Sequence, residues 1–65
     1  MIDINGEKLW HTLHEFPVTM DAINRHTKVG TSYFAGVRRT NRINANVFKR
    51  LCLYLGLKNP QIYLR

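Results

Sequence analysis

Cys52 stands alone in a chain of 65 residues, and that count decides most of what the fold can be. So short a chain buries only about 60% of the surface its unfolded form exposes. Such domains recruit disulfides, a metal, a partner subunit or tight helix packing. One cysteine cannot pair within the chain, and no Cys/His cluster offers four ligands at zinc spacing. Helix packing, a partner subunit or both must supply the stability. An apolar content of 45% is too high for a disordered basic tail. With no repeat or low-complexity stretch, residues 1–65 read as a single domain.

Start and stop signals divide it into short helices. Asn5 can cap a first helix, with Glu7 in its first turn. Leu9, Leu13 and Phe16 recur at helical spacing with Trp10 at the edge of the stripe, and Pro17 stops the helix. Thr19 caps a second helix, expected over 20–26, with Asp21 in its first turn and Val18 and Ile23 placed as a hydrophobic staple. Lys28, Val29 and Gly30 read as a tight turn, and a third helix is expected over 31–38 with Phe34 and Val37 inward. Residues 38–42 read as a cationic loop. Asn44 caps a fourth helix in which Phe48, Leu51, Cys52 and Leu55 follow the spacing of a buried stripe. Gly56 supplies its left-handed end, with Leu57 folding back. In the tail, Asn59 and Pro60 suit a fifth short helix. The alternative is an edge strand over 62–64, paired with residues 2–4 or with a second subunit. The expected fold is an all-α, compact bundle of four to five short helices, with 1–5 an N-terminal arm and 58–65 a tail open to a dimer contact.

Charge is distributed unevenly. From Ala22 onward there are nine Lys or Arg and no acid, while Asp3, Glu7, Glu15 and Asp21 all lie in the first third. Such a field attracts a polyanion, and for a small basic domain nucleic acid is the commonest one. Arg38, Arg39 and Arg42 repel one another, which makes most sense if an anion neutralises them. The acids form no set of nucleophile, base and orienter, and no glycine loop cradles phosphate. No enzyme, cofactor or small-molecule substrate is expected. His11 and His14 lie three apart on the first helix without a third ligand, so no metal is expected and they read as surface residues. Cys52, Trp10 and Phe48 read as core by spacing. Tyr54 and Tyr63 read as partly exposed and available to a dimer surface. No apolar run exceeds residues 51–55, too short for a membrane span. The opening Met-Ile-Asp-Ile-Asn lacks the pattern of a signal peptide, so a reducing cytoplasm is the expected location.

Two short helices joined by a Val-centred turn describe a helix-turn-helix. Here the chain resembles the lambda-repressor-like, Cro-type (XRE) family. Thr19-Met-Asp-Ala-Ile is similar to the start of that family's second helix. Lys28-Val-Gly-Thr-Ser-Tyr-Phe-Ala-Gly-Val is similar to its turn and recognition helix, and Asn44-Ala-Asn-Val-Phe-Lys-Arg-Leu-Cys-Leu-Tyr-Leu-Gly-Leu to its fourth helix. The likeness spans about residues 6–58, through three loose motifs in the right order. Where the family prefers Ala this chain has Asn24, whose amide needs a partner at the helix crossing, since an unpaired one costs about 1–3 kcal/mol. Where the family often has Gly it has Lys28.

The resemblance implies a sequence-specific, double-stranded DNA-binding regulator, a small phage or mobile-element repressor in the nucleoid of a bacterial cell. It would work by operator occupancy, as a homodimer on an inverted repeat. Thr31 and Ser32 match base-reading positions. Gly36 occupies another such position without a side chain, and Arg39 is the substitute, its fork fitting guanine O6 and N7. Lys28, Tyr33, Arg38, Thr40, Asn41 and Arg42 are expected on the DNA backbone, where contacts set position but carry no sequence information. His26 could also touch phosphate. Two other classes compete: a protein-binding adaptor or antitoxin-like module with secondary DNA contact, and an RNA binder. The second is disfavoured because the deep groove of duplex RNA does not admit a helix.

Overall fold

The computed structural model describes all residues from Met1 to Arg65. The elements are β1 (Ile2–Asp3), α1 (Gly6–Glu15), α2 (Met20–Thr27), α3 (Thr31–Thr40), β2 (Arg42–Ile43) and α4 (Ala45–Leu55), then a 3-10 turn over Pro60–Tyr63. Side-chain caps open three of the helices. Asn5 accepts from the Lys8 N–H at 3.1 Å, Thr19 from Ala22 at 3.2 Å, and Asn44 from Asn46 and Val47 at 2.8 and 3.3 Å. Each such cap is worth about 1 kcal/mol. Gly56, at φ 66°, ends α4, and the Leu57 N–H returns to the Cys52 carbonyl at 3.0 Å.

The four helices surround one core. Leu9 and Leu13 enter from α1, Ile23 from α2, Phe34 and Val37 from α3, and Val47, Phe48 and Leu51 from α4. Ile4, Ile43 and Tyr63 close it from outside the helices. Burying each large apolar side chain contributes about 1.5–3 kcal/mol. Trp10 and Cys52 pack against this core half-buried rather than inside it.

The expected all-α fold needs correction at the chain ends. β1 pairs antiparallel with β2, Ile2 opposite Ile43 and Asp3 opposite Arg42, so the N-terminal arm is a strand. On its other side Ile4 bridges Leu64, and the Asn5 N–H reaches the Tyr63 carbonyl at 2.7 Å. Two-residue strands are too short to leave a periodic signal, and their partner is chosen by tertiary contact. The tail combines both of its expected forms: a 3-10 turn in place of a fifth helix, then one bridge to the N-terminal segment. Tyr63 is buried, not exposed, and its hydroxyl meets that of Thr12 at 2.9 Å.

α3 outruns its expected end by two residues, so Arg38, Arg39 and Thr40 are helical and the loop shrinks to Asn41. Thr40 returns its hydroxyl to the Gly36 carbonyl at 2.9 Å. Asn41 takes the left-handed conformation at φ 60° and sends its N–H to the Val37 carbonyl. Here α1 and α3 touch backbone to backbone, since a Cβ on Gly6 would stand 2.9 Å from the Arg38 Cα.

Two alanine substitutions should therefore act with opposite sign. Gly6→Ala forces α1 off α3 and is expected to cost about 1–3 kcal/mol. Gly36→Ala meets nothing within 4 Å and should stabilise by about 0.5–1 kcal/mol. Urea denaturation of both variants checks the pair.

Candidate nucleic-acid interface

α2 and α3 are joined by the three residues 28–30, with Lys28 in the left-handed conformation at φ 64°. Lys28 thus adopts the backbone that a glycine would take more cheaply, because a left-handed position costs other residues about 1–2 kcal/mol. The Asn24 amide nitrogen donates to the Thr31 hydroxyl at 2.9 Å, tying the two helices across the turn. Its Oδ1 is buried without a partner. Thr27, wholly buried, directs its hydroxyl to the Ile23 carbonyl at 2.8 Å and so satisfies itself within α2.

The two sides of α3 differ sharply. Phe34 and Val37 are buried and Tyr33 is half-buried, whereas Ser32, Ala35 and Arg39 are exposed and Gly36 is half-exposed. Those four outward positions follow the i, i+3, i+4, i+7 rule of one helical stripe. Thr31 is exposed at its edge. Ala35 did not figure among the sequence candidates, although its place three residues after Ser32 would have shown it.

The arginines have separate surroundings. Arg38 grips Glu7 with two nitrogens, at 2.8 and 3.2 Å, and its guanidinium lies 5.7 Å from the centre of the Trp10 ring. Arg42 stands 3.5 Å from Asp3. Only Arg39 of the three has no carboxylate partner. The expectation of a cluster awaiting an outside anion is revised accordingly, since two of its members are matched by acids from the first third of the chain. Sequence spacing could not reveal this, because Glu7 and Arg38 are 31 residues apart. Both pairs are solvent-exposed and so contribute little to stability.

The remaining backbone candidates are partly committed to the fold. The Tyr33 hydroxyl accepts the Asn44 N–H at 2.9 Å, holding the start of α4. The Asn41 side chain accepts the Gly6 N–H at 2.9 Å. Lys28 is exposed at the turn, and Arg25, Lys49 and Arg50 are exposed without ion pairs.

Elsewhere, His26 on α2 stacks on Tyr54 of α4 with ring centres 3.8 Å apart, and with Arg50 and Leu53 they border a shallow, open depression of about 300 Å³. His11 lies 3.3 Å from Glu7, while His14 bonds the Trp10 carbonyl at 2.9 Å. No three His, Cys, Asp or Glu side chains converge. Burial pushes the Cys52 thiol above its usual range. No helix is long and apolar enough to cross a membrane. No protein-family model, curated protein or solved structure matches the chain.

The hydrogen bond from Arg38 holds the Glu7 carboxyl below its ordinary 4.5; burial opposes this, and the charges of Arg38 and His11 assist. A lowered carboxyl pKa stabilises the fold above the unfolded value, and the contribution is lost as pH falls through the lowered one. An NMR titration should find the Glu7 midpoint under 4.5. Arg38→Met should return it toward that value, and an unmoved midpoint would show that Arg38 is not the cause.

Proposed function

We propose that this chain is a sequence-specific, double-stranded DNA-binding regulator of the lambda-repressor-like, Cro type. In this reading α3 enters the major groove, and the protein acts by occupying an operator as a homodimer. The observation that carries it is the outward stripe of α3. Ser32, Ala35, Gly36 and Arg39 face solvent on a helix whose opposite side is core, joined to α2 by a three-residue turn. Arg39, free of internal partners, can place its fork on guanine. Thr31 and Ser32 lie at the end of α3 nearest the turn, and Lys28 adds a cation beside them. Arg38 and Arg42 reach phosphate only by exchanging their carboxylates for it.

Arg39 and Arg38 should separate by their consequences. Losing a bidentate guanine contact costs about 1–3 kcal/mol, so Arg39→Met is expected to weaken a selected duplex by roughly fivefold to 150-fold. Arg38→Met should change affinity less than threefold. Fluorescence anisotropy over a salt series reads both, with a log–log slope near −5 if about six phosphates are neutralised. Equal losses from the two variants would remove Arg39 from base reading. The matching RNA duplex should bind more weakly.

A single recognition helix reads few base pairs, so two half-sites about 34 Å apart are expected, one turn of DNA. Ile62 and Leu64, each 47% exposed beside the bridge to Ile4, are the proposed dimer contact. Ile62→Glu should give monomers in sedimentation, with half-sites bound independently. The adaptor reading draws on Leu53, 74% exposed on α4. It prevails if charge reversal at Arg39 abolishes duplex binding and leaves the biological output intact.

A further inference from the structure

We infer that α3 reads the 5-methyl group of a thymine through the side chain of Ala35, with Gly36 clearing the space for that approach. The inference rests on the DNA-binding reading above and names what the same face selects. Chemistry along the outward stripe is sparse. Ser32 supplies a hydroxyl, Ala35 a methyl, Gly36 nothing and Arg39 a guanidinium. The Thr31 hydroxyl at the stripe's edge is engaged by Asn24 at 2.9 Å. At the middle of the stripe, no side chain is longer than a methyl group.

Two consequences follow. A Cβ on Gly36 would find no atom within 4 Å, so the gap there is open and the α3 backbone can settle deep toward a groove floor. What then meets the base edges at mid-helix is the Ala35 methyl, which can neither donate nor accept a hydrogen bond. Of the groups displayed in the major groove the thymine C5-methyl is its best apolar match, since cytosine offers only a C–H at that position and the remaining groups are donors or acceptors that the contact would leave dry. Arg39 follows Ala35 by four residues, about 6 Å along a helix axis. That is roughly two base steps at about 3.4 Å each. The preferred half-site therefore carries a thymine within one to three base pairs of the guanine read by Arg39.

The test uses the full chain and duplexes selected from a random pool. In the selected site each thymine is replaced singly by deoxyuridine, which deletes the methyl and leaves base pairing intact. One thymine per half-site should show a loss of about fourfold, the equivalent of about 0.8 kcal/mol for one buried carbon. That loss should disappear in Ala35→Gly and be reduced in Ala35→Ser, whose hydroxyl suits the methyl poorly. Uniform tolerance of deoxyuridine by the wild-type chain overturns the inference while the DNA-binding reading stands. A thymine effect that persists in Ala35→Gly overturns the assignment to Ala35. Failure to select any duplex overturns the DNA-binding reading and this inference with it.

Discussion

Asn41 joins the two halves of the molecule. Its N–H closes α3 on the Val37 carbonyl, its own carbonyl accepts the Ile4 N–H at 2.9 Å, and its side chain accepts the Gly6 N–H at the same distance. These bonds need the left-handed backbone at this position, which Asn adopts more readily than most non-glycine residues because its short polar side chain can bond locally. They bring the first turn of α1 down onto the last turn of α3. Without them the contact at Gly6, the pairing of β1 with β2 and the reach of Glu7 to Arg38 all lose their support. A chain with no disulfide thus substitutes a hydrogen-bonded clasp between residues far apart in sequence.

That clasp also sorts the charges. The acids confined to the first third are not merely displaced from a basic surface. Asp3 and Glu7 are carried by β1 and α1 to Arg42 and Arg38, on the flank of α3 where that helix meets its neighbours. Arg39, one residue along the helix from Arg38, is turned about 100° away and receives no such partner. The fold therefore leaves one uncompensated guanidinium on the outward stripe of α3. Total charge overstates the local field, and the position of each carboxylate decides which cation remains free.

Much of the fold could be read from the sequence because its helices are punctuated locally. Asn5, Thr19 and Asn44 cap within three residues of the N–H groups they accept, and Pro17 and Gly56 act on their immediate neighbours. Elements fixed by distant partners left no such trace. The strand pair depends on Ile2 meeting Ile43, and the two extra residues of α3 depend on Asn41 finding Gly6. The same division runs through the candidate site. Thr31 and Ser32 are exposed at the start of α3 and Lys28 at the turn before it, as the start signals of that helix imply, whereas Arg39, expected in a loop, is exposed on α3 itself. Arg38, Asn41 and Tyr33 are drawn into contacts with Glu7, Gly6 and Asn44 that no local pattern encodes.

The sparseness of the outward stripe bears on how many copies the proposed function needs. One bidentate arginine contact is worth about 1–3 kcal/mol of discrimination, and one methyl contact about 0.8 kcal/mol. A hydroxyl such as that of Ser32 adds a net hydrogen bond of about 0.5–1.5 kcal/mol. Taken together, a single protomer reaches about 2–5 kcal/mol, which only overlaps the low end of the 4–10 kcal/mol that separates specific from non-specific DNA binding. Two protomers on symmetric half-sites bring the same three contacts twice and fall within that range. In the proposed reading, pairing is what lifts so short-sided a helix clear of that threshold. The apolar side chains left exposed beside the N-terminal bridge, Ile62 and Leu64, are then the natural place for the second copy.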